Sequence, residues 1–379
     1  MNIPCKAAQF LLPEKKVDLQ KWAVIACDQH TSDLSYWQKL TAYVGGAPST
    51  LNLIFPEAYL AEGKDAGENR AKKIAAQMND YLNSGIFCAY EGMVLVERLV
   101  SNGKTRTGIL LAVDLEQYEY KAGTKPLIRA SEGTVLERIP PRTAVRRRCP
   151  LELPHIMLLY DDPNGTVLAA ARQAKPKPVL YDFTLNFGGG KIRGTHLKNT
   201  APVLSAFEAL QSSSRARCGE ELLFAVGDGN HSLAAAKQCY EEAKAQGHGE
   251  ECRFALCEAV NLYDDALQFE PIHRLVFTDN PAQFAAEIAK NMPVDPIEAV
   301  AYTDAYISKA GLEADYIHGE ENLLKLAAQQ NAAPVLLKPM DKAGFFPYIV
   351  QNGSLPKKTF SMGEAEDKRY YIEAATING

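Results

Sequence analysis

The sequence predicts an α+β fold, a mixed sheet with packed helices. Runs rich in Val, Leu and Ile at 87–100 and 105–114 flank Ser101-Asn102-Gly103-Lys104, a turn signal that joins them as a hairpin. The apolar run 222–226 stops at Gly227-Asp228-Gly229, and an Ala-rich helical stretch follows directly. Strands and helices elsewhere mix without strict βαβ alternation, which favours α+β over a doubly wound sheet.

The elements follow in chain order. A short apolar run at 22–26 ends at Cys27-Asp28-Gln29-His30, and a helix follows it, capped at Ser32 or Asp33, with Leu34, Trp37 and Leu40 on one face. The run 51–55 reads as a strand closed by Pro56, and 69–82 as a helix with Ile74, Met78 and Leu82 in a repeat. Residues 127–148 are polar and arginine-rich, part helix and part loop, with Pro140-Pro141 expected outside any helix. Strands are expected at 155–160 and 179–186, a helix at 197–211, and strands at 254–262 and around 267–277. The last hundred or so residues mix helix (281–290, 320–330) with strand (333–338) and end in a basic, polar stretch at 355–373. The organisation expected is a 1–150 α/β region with the hairpin and the arginine-rich segment, a 151–280 core, and a 281–379 C-terminal α/β region. One intertwined domain is the alternative.

Composition bounds the function. The chain has 379 residues, 46% hydrophobic and 23% charged, as in an ordinary globular protein. A net charge of −5 argues against binding nucleic acid through bulk charge. No segment reads as a signal peptide or a membrane span, so the expected location is cytoplasmic. The eight cysteines are scattered without zinc-site spacing and read as small buried hydrophobes in a reducing compartment. Cys27 stands out because Asp28 and His30 are beside it.

The densest chemistry is Gly227-Asp228-Gly229-Asn230-His231-Ser232. The first amides of a helix lack intrahelical partners and carry partial positive charge, so an anion fits there. Glycine allows close backbone approach, and histidine exchanges a proton near neutral pH. A plain turn with Asn230 or Ser232 as N-cap explains the same residues. The spacing is neither a P-loop nor a dinucleotide fingerprint.

Four segments together resemble one family. They are GDGNHS at 227–232, PIHR at 271–274, RASEGTVLERIPPR at 129–142 and LPKKTFSMGEAEDKRYY at 355–371. In their order and spacing along the chain they are similar to the bacterial and archaeal domain-of-unknown-function 1015 family, as a divergent branch. Asn230 and Ser232 stand where that family usually has His and Arg, and Ala130-Ser131 precede Glu132 in place of its His-Glu pair. The turn alone is also similar to the nucleotide-binding motif of the ParB/sulfiredoxin superfamily, which includes free-serine kinases. That resemblance implies a ParB/sulfiredoxin-like core with additional α/β segments and a phosphate site at 227–232.

The expected function is binding of a nucleotide, with magnesium, or of a phosphorylated small molecule, with phosphotransfer or nucleotide hydrolysis as the reaction. Gly227, Gly229, Asn230 and Ser232 would form the cradle, and Arg138, Arg142 and Arg274 would clamp phosphate oxygens. Asp228 and Glu132 would hold magnesium or act as base, with His231 and His273 as acid–base groups. Lys357 and Lys358 would add a positive wall. A metal-assisted hydrolase or isomerase built on Asp228, His231 and His273, with Glu132 or Asp28, is one alternative. A non-catalytic ligand sensor is the other.

Overall fold

Among the described residues the apolar runs pair into a mixed sheet of eleven strands. The computed structural model describes residues 3–121, 123–136, 139–175 and 178–377. The chain divides into two units: the first is Met1–Ala130, Thr134–Ala266 and Glu364–Gly379, the second Ser131–Gly133 and Leu267–Gly363. The fold is α+β.

All strands of the large sheet belong to the first unit. The hairpin of Phe87–Leu99 and Thr105–Asp114 pairs antiparallel, with Leu99 opposite Thr105 across the Ser101–Lys104 turn. Thr105–Asp114 pairs next with Phe254–Asn261, and that strand runs parallel to Met157–Tyr160. Phe224–Asp228 follows, antiparallel to Met157–Tyr160 and parallel to Ile128–Ala130. Gly108 makes room within this sheet: a Cβ there would lie 2.3 Å from the Glu258 carboxylate.

Each face of the sheet is covered because its strands are apolar on both sides. On one face Ile109, Leu111, Leu158 and Val226 pack against Val203 and Phe207 of the Ala201–Cys218 helix and Leu233 and Tyr240 of the Asn230–Ala245 helix. On the other, Val94, Val96, Leu110 and Leu256 meet Trp37 and Leu40 of the Leu34–Val44 helix and the tyrosines Tyr370 and Tyr371. Burying each large aliphatic side chain is worth about 1.5–3 kcal/mol.

The 364–377 stretch is built into this unit. Tyr370–Tyr371 pairs with Val24–Ile25, and the Trp22 indole donates to the Ile372 carbonyl at 2.8 Å. The buried Arg98 guanidinium donates to the carbonyls of Gly189, Glu366, Asp367 and Lys368. The Asp367 carboxylate accepts from the Ser101 amide at 2.8 Å and its hydroxyl at 2.6 Å. The turn residue that joins the central hairpin therefore also anchors a segment more than 260 positions away.

In the second unit, Phe269–Phe277 pairs antiparallel with Glu313–His318, Ala333–Val335 and Phe360–Met362. Val276 and Ala333 pack with Phe284, Ile288 and Ile307 of two helices, Pro281–Asn291 and Pro296–Ala310. Both helices open on side-chain caps: Asn280 accepts from the Gln283 amide, and Asp295 from those of Ile297 and Glu298.

Several local expectations are corrected. Residues Thr50–Leu53 form a 3-10 helix, not a strand, because Ser49 caps the Leu51 amide and the Thr50 hydroxyl bonds the Trp22 carbonyl. Pro140 and Pro141 do lie in a helix, Ile139–Arg146, in the first turn where a missing amide costs little. The N-cap position before Asn230 is Gly229, not Asn230 or Ser232. The apolar run at 22–26 is split between the end of a short helix, Leu19–Trp22, and the strand Val24–Ile25.

Candidate functional site

The strand Phe224–Asp228 carries the chain into the candidate site. Its pairing with Met157–Tyr160 slips between Val226 and Asp228, so Gly227 sits at a bulge that re-aims Asp228. Gly229 then turns the chain at φ 81, and a Cβ there would meet the Ile156 backbone at 3.1 Å. Glycine is required twice over, by conformation and by space. The Asn230–Ala245 helix starts immediately, and no side chain caps it. Its first turn carries the partial positive charge of a helix start.

Side chains from five segments of the first unit gather around this start. The Ser232 hydroxyl lies 3.0 Å from Nε2 of His155, and the Tyr371 hydroxyl lies 3.0 Å from its Nδ1. The Cys27 amide donates to the same Tyr371 hydroxyl at 3.2 Å. The Cys27 carbonyl accepts from the Glu57 amide at 2.8 Å, and the Glu57 carboxylate pairs with Arg142. Lys368 stands 3.4 Å from the Asp228 carboxylate, whose other oxygen accepts from the Gly229 amide at 3.0 Å. Arg142 is carried by the Ile139–Arg146 helix, which packs Ile139 against Ala234 and Ala235 of the site helix.

Charge and burial tune these groups. Burial holds the His155 imidazole below its ordinary pKa; Asp28 and Asp228 pull it back up, while Arg142 and Arg369 push it down. Burial works against the charge of Asp28, but His155, a hydrogen bond from Gln29, Arg142 and Lys368 together hold its carboxyl below the usual carboxylate range. Burial pushes the Cys27 thiol up to about 11, so it is not a thiolate at neutral pH. Beneath them Arg369, buried, binds the Glu258 carboxylate at 2.7 Å, the Glu373 carboxylate at 2.8 Å and the Pro154 carbonyl at 2.6 Å, which fixes the backbone ahead of His155.

Cys27, Glu57, Arg142, His155, Ser232 and Tyr371 also line one cavity of about 170 Å³. Its remaining wall is mostly apolar, with Leu53, Ile54, Phe55, Val145, Leu151 and Leu153 among the lining side chains.

The sequence-predicted residues divide. Gly227, Asp228, Gly229, Asn230, His231, Ser232 and Arg142 belong to the first unit. Nε2 of His231 accepts from the Val135 amide at 3.2 Å, tying the 134–136 segment to the helix start. Glu132, His273 and Arg274 belong to the second unit. Glu132 bridges Leu355 through its backbone. His273 accepts from the Leu337 amide at 3.2 Å. Arg274 binds Asp304 through two nitrogens and the carbonyls of Ile272, Lys357 and Lys358, which engages its whole guanidinium. Lys357 and Lys358 are exposed. Arg138 lies outside the described residues. Among the described residues, no group of three or more His, Cys, Asp or Glu side chains is arranged to hold a metal ion. Sequence reasoning did not single out His155, Tyr371 or Lys368. Their signal was indirect: His155 opens an apolar run, and Lys368 and Tyr371 lie in the 355–371 segment that carries part of the family resemblance.

No helix among the described residues is long and apolar enough to cross a membrane. No curated protein matches the chain. Solved structures give distant likenesses. A free serine kinase in complex with AMP superposes with a TM-score of 0.37 at 8% identity, covering 71% of this chain and 92% of its own. A conserved hypothetical protein from Pyrococcus furiosus gives a TM-score of 0.32 at 8% identity, covering 69% and 90%. The match that spans the molecule is to a family model, "Protein of unknown function (DUF1015)", over residues 11–376, and the chain belongs to that family.

Proposed function

We propose that the chain binds a nucleotide or a phosphorylated small molecule at the start of the Asn230–Ala245 helix and transfers a phosphoryl group there. The observation that carries this reading is the company of that helix start: Ser232, His155, Asp228 and Lys368 around it, with Arg142 and Asp28 acting on the same histidine. Phosphoryl transfer asks for a cradle, neutralising cations and a positioned proton acceptor. The helix start supplies backbone amides and a favourable dipole. Lys368 and Arg142 supply cations. In transfer, the acceptor oxygen attacks phosphorus, the bond to the leaving oxygen breaks, and a carboxylate or the His155 imidazole takes the acceptor's proton.

Magnesium fits this set. It is usually held by one or two carboxylates together with the phosphates themselves, so a three-residue cluster is not needed. Asp28 and Asp228, which both act on His155, are the two carboxylates suited to it. When bound, the ion would neutralise phosphate charge. The hydrolase reading built on a protein-only metal cluster has no such cluster among the described residues.

Titration calorimetry against a panel of nucleotides and phosphorylated metabolites, with and without magnesium, tests the proposal. Lys368→Met and Arg142→Gln are each expected to weaken the best ligand about tenfold, or ~1.4 kcal/mol. Unchanged affinity in both variants would sink the reading. Turnover of the bound compound separates an enzyme from a sensor.

A further inference from the structure

The cavity beside the helix start is more specific than a phosphate site needs to be. Six of its lining residues form one connected wall, through side chains and through the backbone of Cys27 and Glu57. Ser232 touches His155, His155 touches Tyr371, and Tyr371 accepts from Cys27. The Cys27 carbonyl accepts from the Glu57 amide, and the Glu57 carboxylate pairs with Arg142. The other charged lining groups, Arg146 and Glu152, are paired with each other at 2.6 Å. Away from that wall much of the lining belongs to an apolar cluster in which Leu53, Met78 and Leu151 are buried and Phe55, Val145 and Leu153 pack against them.

Size and lining together restrict the occupant. The cavity is about 170 Å³. Pockets for drug-sized ligands run from about 300 Å³ upward. A dry apolar cavity of about 150 Å³ is enough for a benzene-sized ring. A sugar of that size would bring hydroxyls against Leu, Phe and Val side chains, where they would lose water without gaining partners.

Resting on the phosphate-site reading above, we infer that the ligand is an anionic ester with a compact apolar body, such as a single aromatic ring or a branched aliphatic group. The body is seated in the cavity, and the anionic head meets Ser232, His155 and Arg142. The polar wall orients the head, and the apolar wall selects the body. This narrows the substrate class from any phosphorylated metabolite to one whose non-phosphate part is small and lacks hydroxyls.

The test compares four probes on the full chain by calorimetry: inorganic phosphate, phenyl phosphate, glucose 6-phosphate and benzyl alcohol. Phenyl phosphate is expected to bind on the order of 30-fold tighter than inorganic phosphate, which is about 2 kcal/mol. Glucose 6-phosphate is expected to bind no tighter than inorganic phosphate. Val145→Phe, which fills the cavity, removes the phenyl advantage and leaves inorganic phosphate binding in place. Leu60→Trp, at an exposed lining position that tolerates change, does the same if Val145→Phe fails to fold. Equal affinity for phenyl phosphate and inorganic phosphate overturns the inference, as does a phenyl advantage that survives filling of the cavity. Phenyl phosphate binding no tighter than benzyl alcohol is a different failure. It would remove the anionic head, and with it the phosphate-site reading, while leaving an apolar cavity.

Discussion

In each unit a buried arginine donates to the carbonyl of the residue that precedes a buried histidine. Arg369 does so to Pro154, ahead of His155, and Arg274 to Ile272, ahead of His273. Burial lowers the pKa of both imidazoles. The scaffolds are alike, yet the rings face different groups. His155 has hydroxyls on both nitrogens and lines a cavity, whereas His273 accepts from a backbone amide. A histidine held between hydroxyls can pass a proton along; one accepting from a fixed amide is part of the framework. The motif Pro-Ile-His-Arg drew attention to His273 in the sequence, while the ring better placed for chemistry belongs to the inconspicuous Leu-Pro-His-Ile at 153–156.

The arginines offer the largest way to break this comparison. Arg369→Ala leaves Glu258 and Glu373, both nearly fully buried, without a cation, and is expected to cost about 3–5 kcal/mol in urea unfolding. Arg274→Ala should cost less, because the side chain of its partner Asp304 is 31% exposed and can rehydrate. Equal losses would mean that the two frames are energetically the same.

Acid sharpens it next. A histidine whose folded pKa lies below its unfolded value of about 6.5 binds more protons unfolded, so stability falls as pH drops below that value. His155 and His273 both act in this sense, and His155→Gln and His273→Gln should each flatten the stability profile between neutral and mildly acid pH. Asp28, held low in the fold, contributes stability above the unfolded carboxylate pKa of about 3.9 that is lost at still lower pH. The pH dependence of ligand affinity should change with His155→Gln alone. A change of the same size with His273→Gln would erase the distinction between the two rings.

The smallest effect sets the baseline. Arg147 pairs with Glu242 through two bonds, but their side chains are 46% and 37% exposed. Arg147→Ala is expected to cost no more than about 0.5 kcal/mol and to leave ligand affinity unchanged. A larger loss would show that burial is not what separates Arg369 from a surface arginine.

Much of the fold was legible in local pattern. The hairpin around Asn102-Gly103, the strand–turn–helix at 222–245 and the helix Glu320–Gln330 follow from periodicity and turn chemistry alone. Thr50–Leu53 was not, because Leu51 and Leu53 alternate as in a strand while Ser49 and Thr50 bend the backbone through side-chain bonds. The candidate site was legible at its anchor, at Arg142 and at Cys27-Asp28, and not beyond them. Gly227 to Ser232 announced itself through residue types, but His155 and Tyr371 are 216 positions apart and meet only through the sheet. The 355–373 stretch reads as basic and polar, yet Lys368 and Arg369 are buried, because carboxylates and carbonyls elsewhere in the first unit pair with them. Composition cannot distinguish a charge that faces water from one that has a partner elsewhere in the chain.

The anchoring of residues 364–377 has a consequence for the order in which the molecule can form. The Trp22 indole reaches a carbonyl 350 positions later, and the Arg98 guanidinium binds carbonyls about 270 positions on. Leu267–Gly363 of the second unit intervene between Ala266 and Glu364. During synthesis the large sheet therefore emerges with Glu258 lacking Arg369 and with Arg98 and Arg106 lacking the carbonyls of 366–368, and the ends of a very long loop must close before these pairs form, a step that slows folding. His155 gains its tyrosine, and Asp228 its lysine, only at that closure. A chain stopped short of residue 364 would hold most of its sheet and keep Ser232 beside His155, yet lack the tyrosine on that ring and the lysine on Asp228.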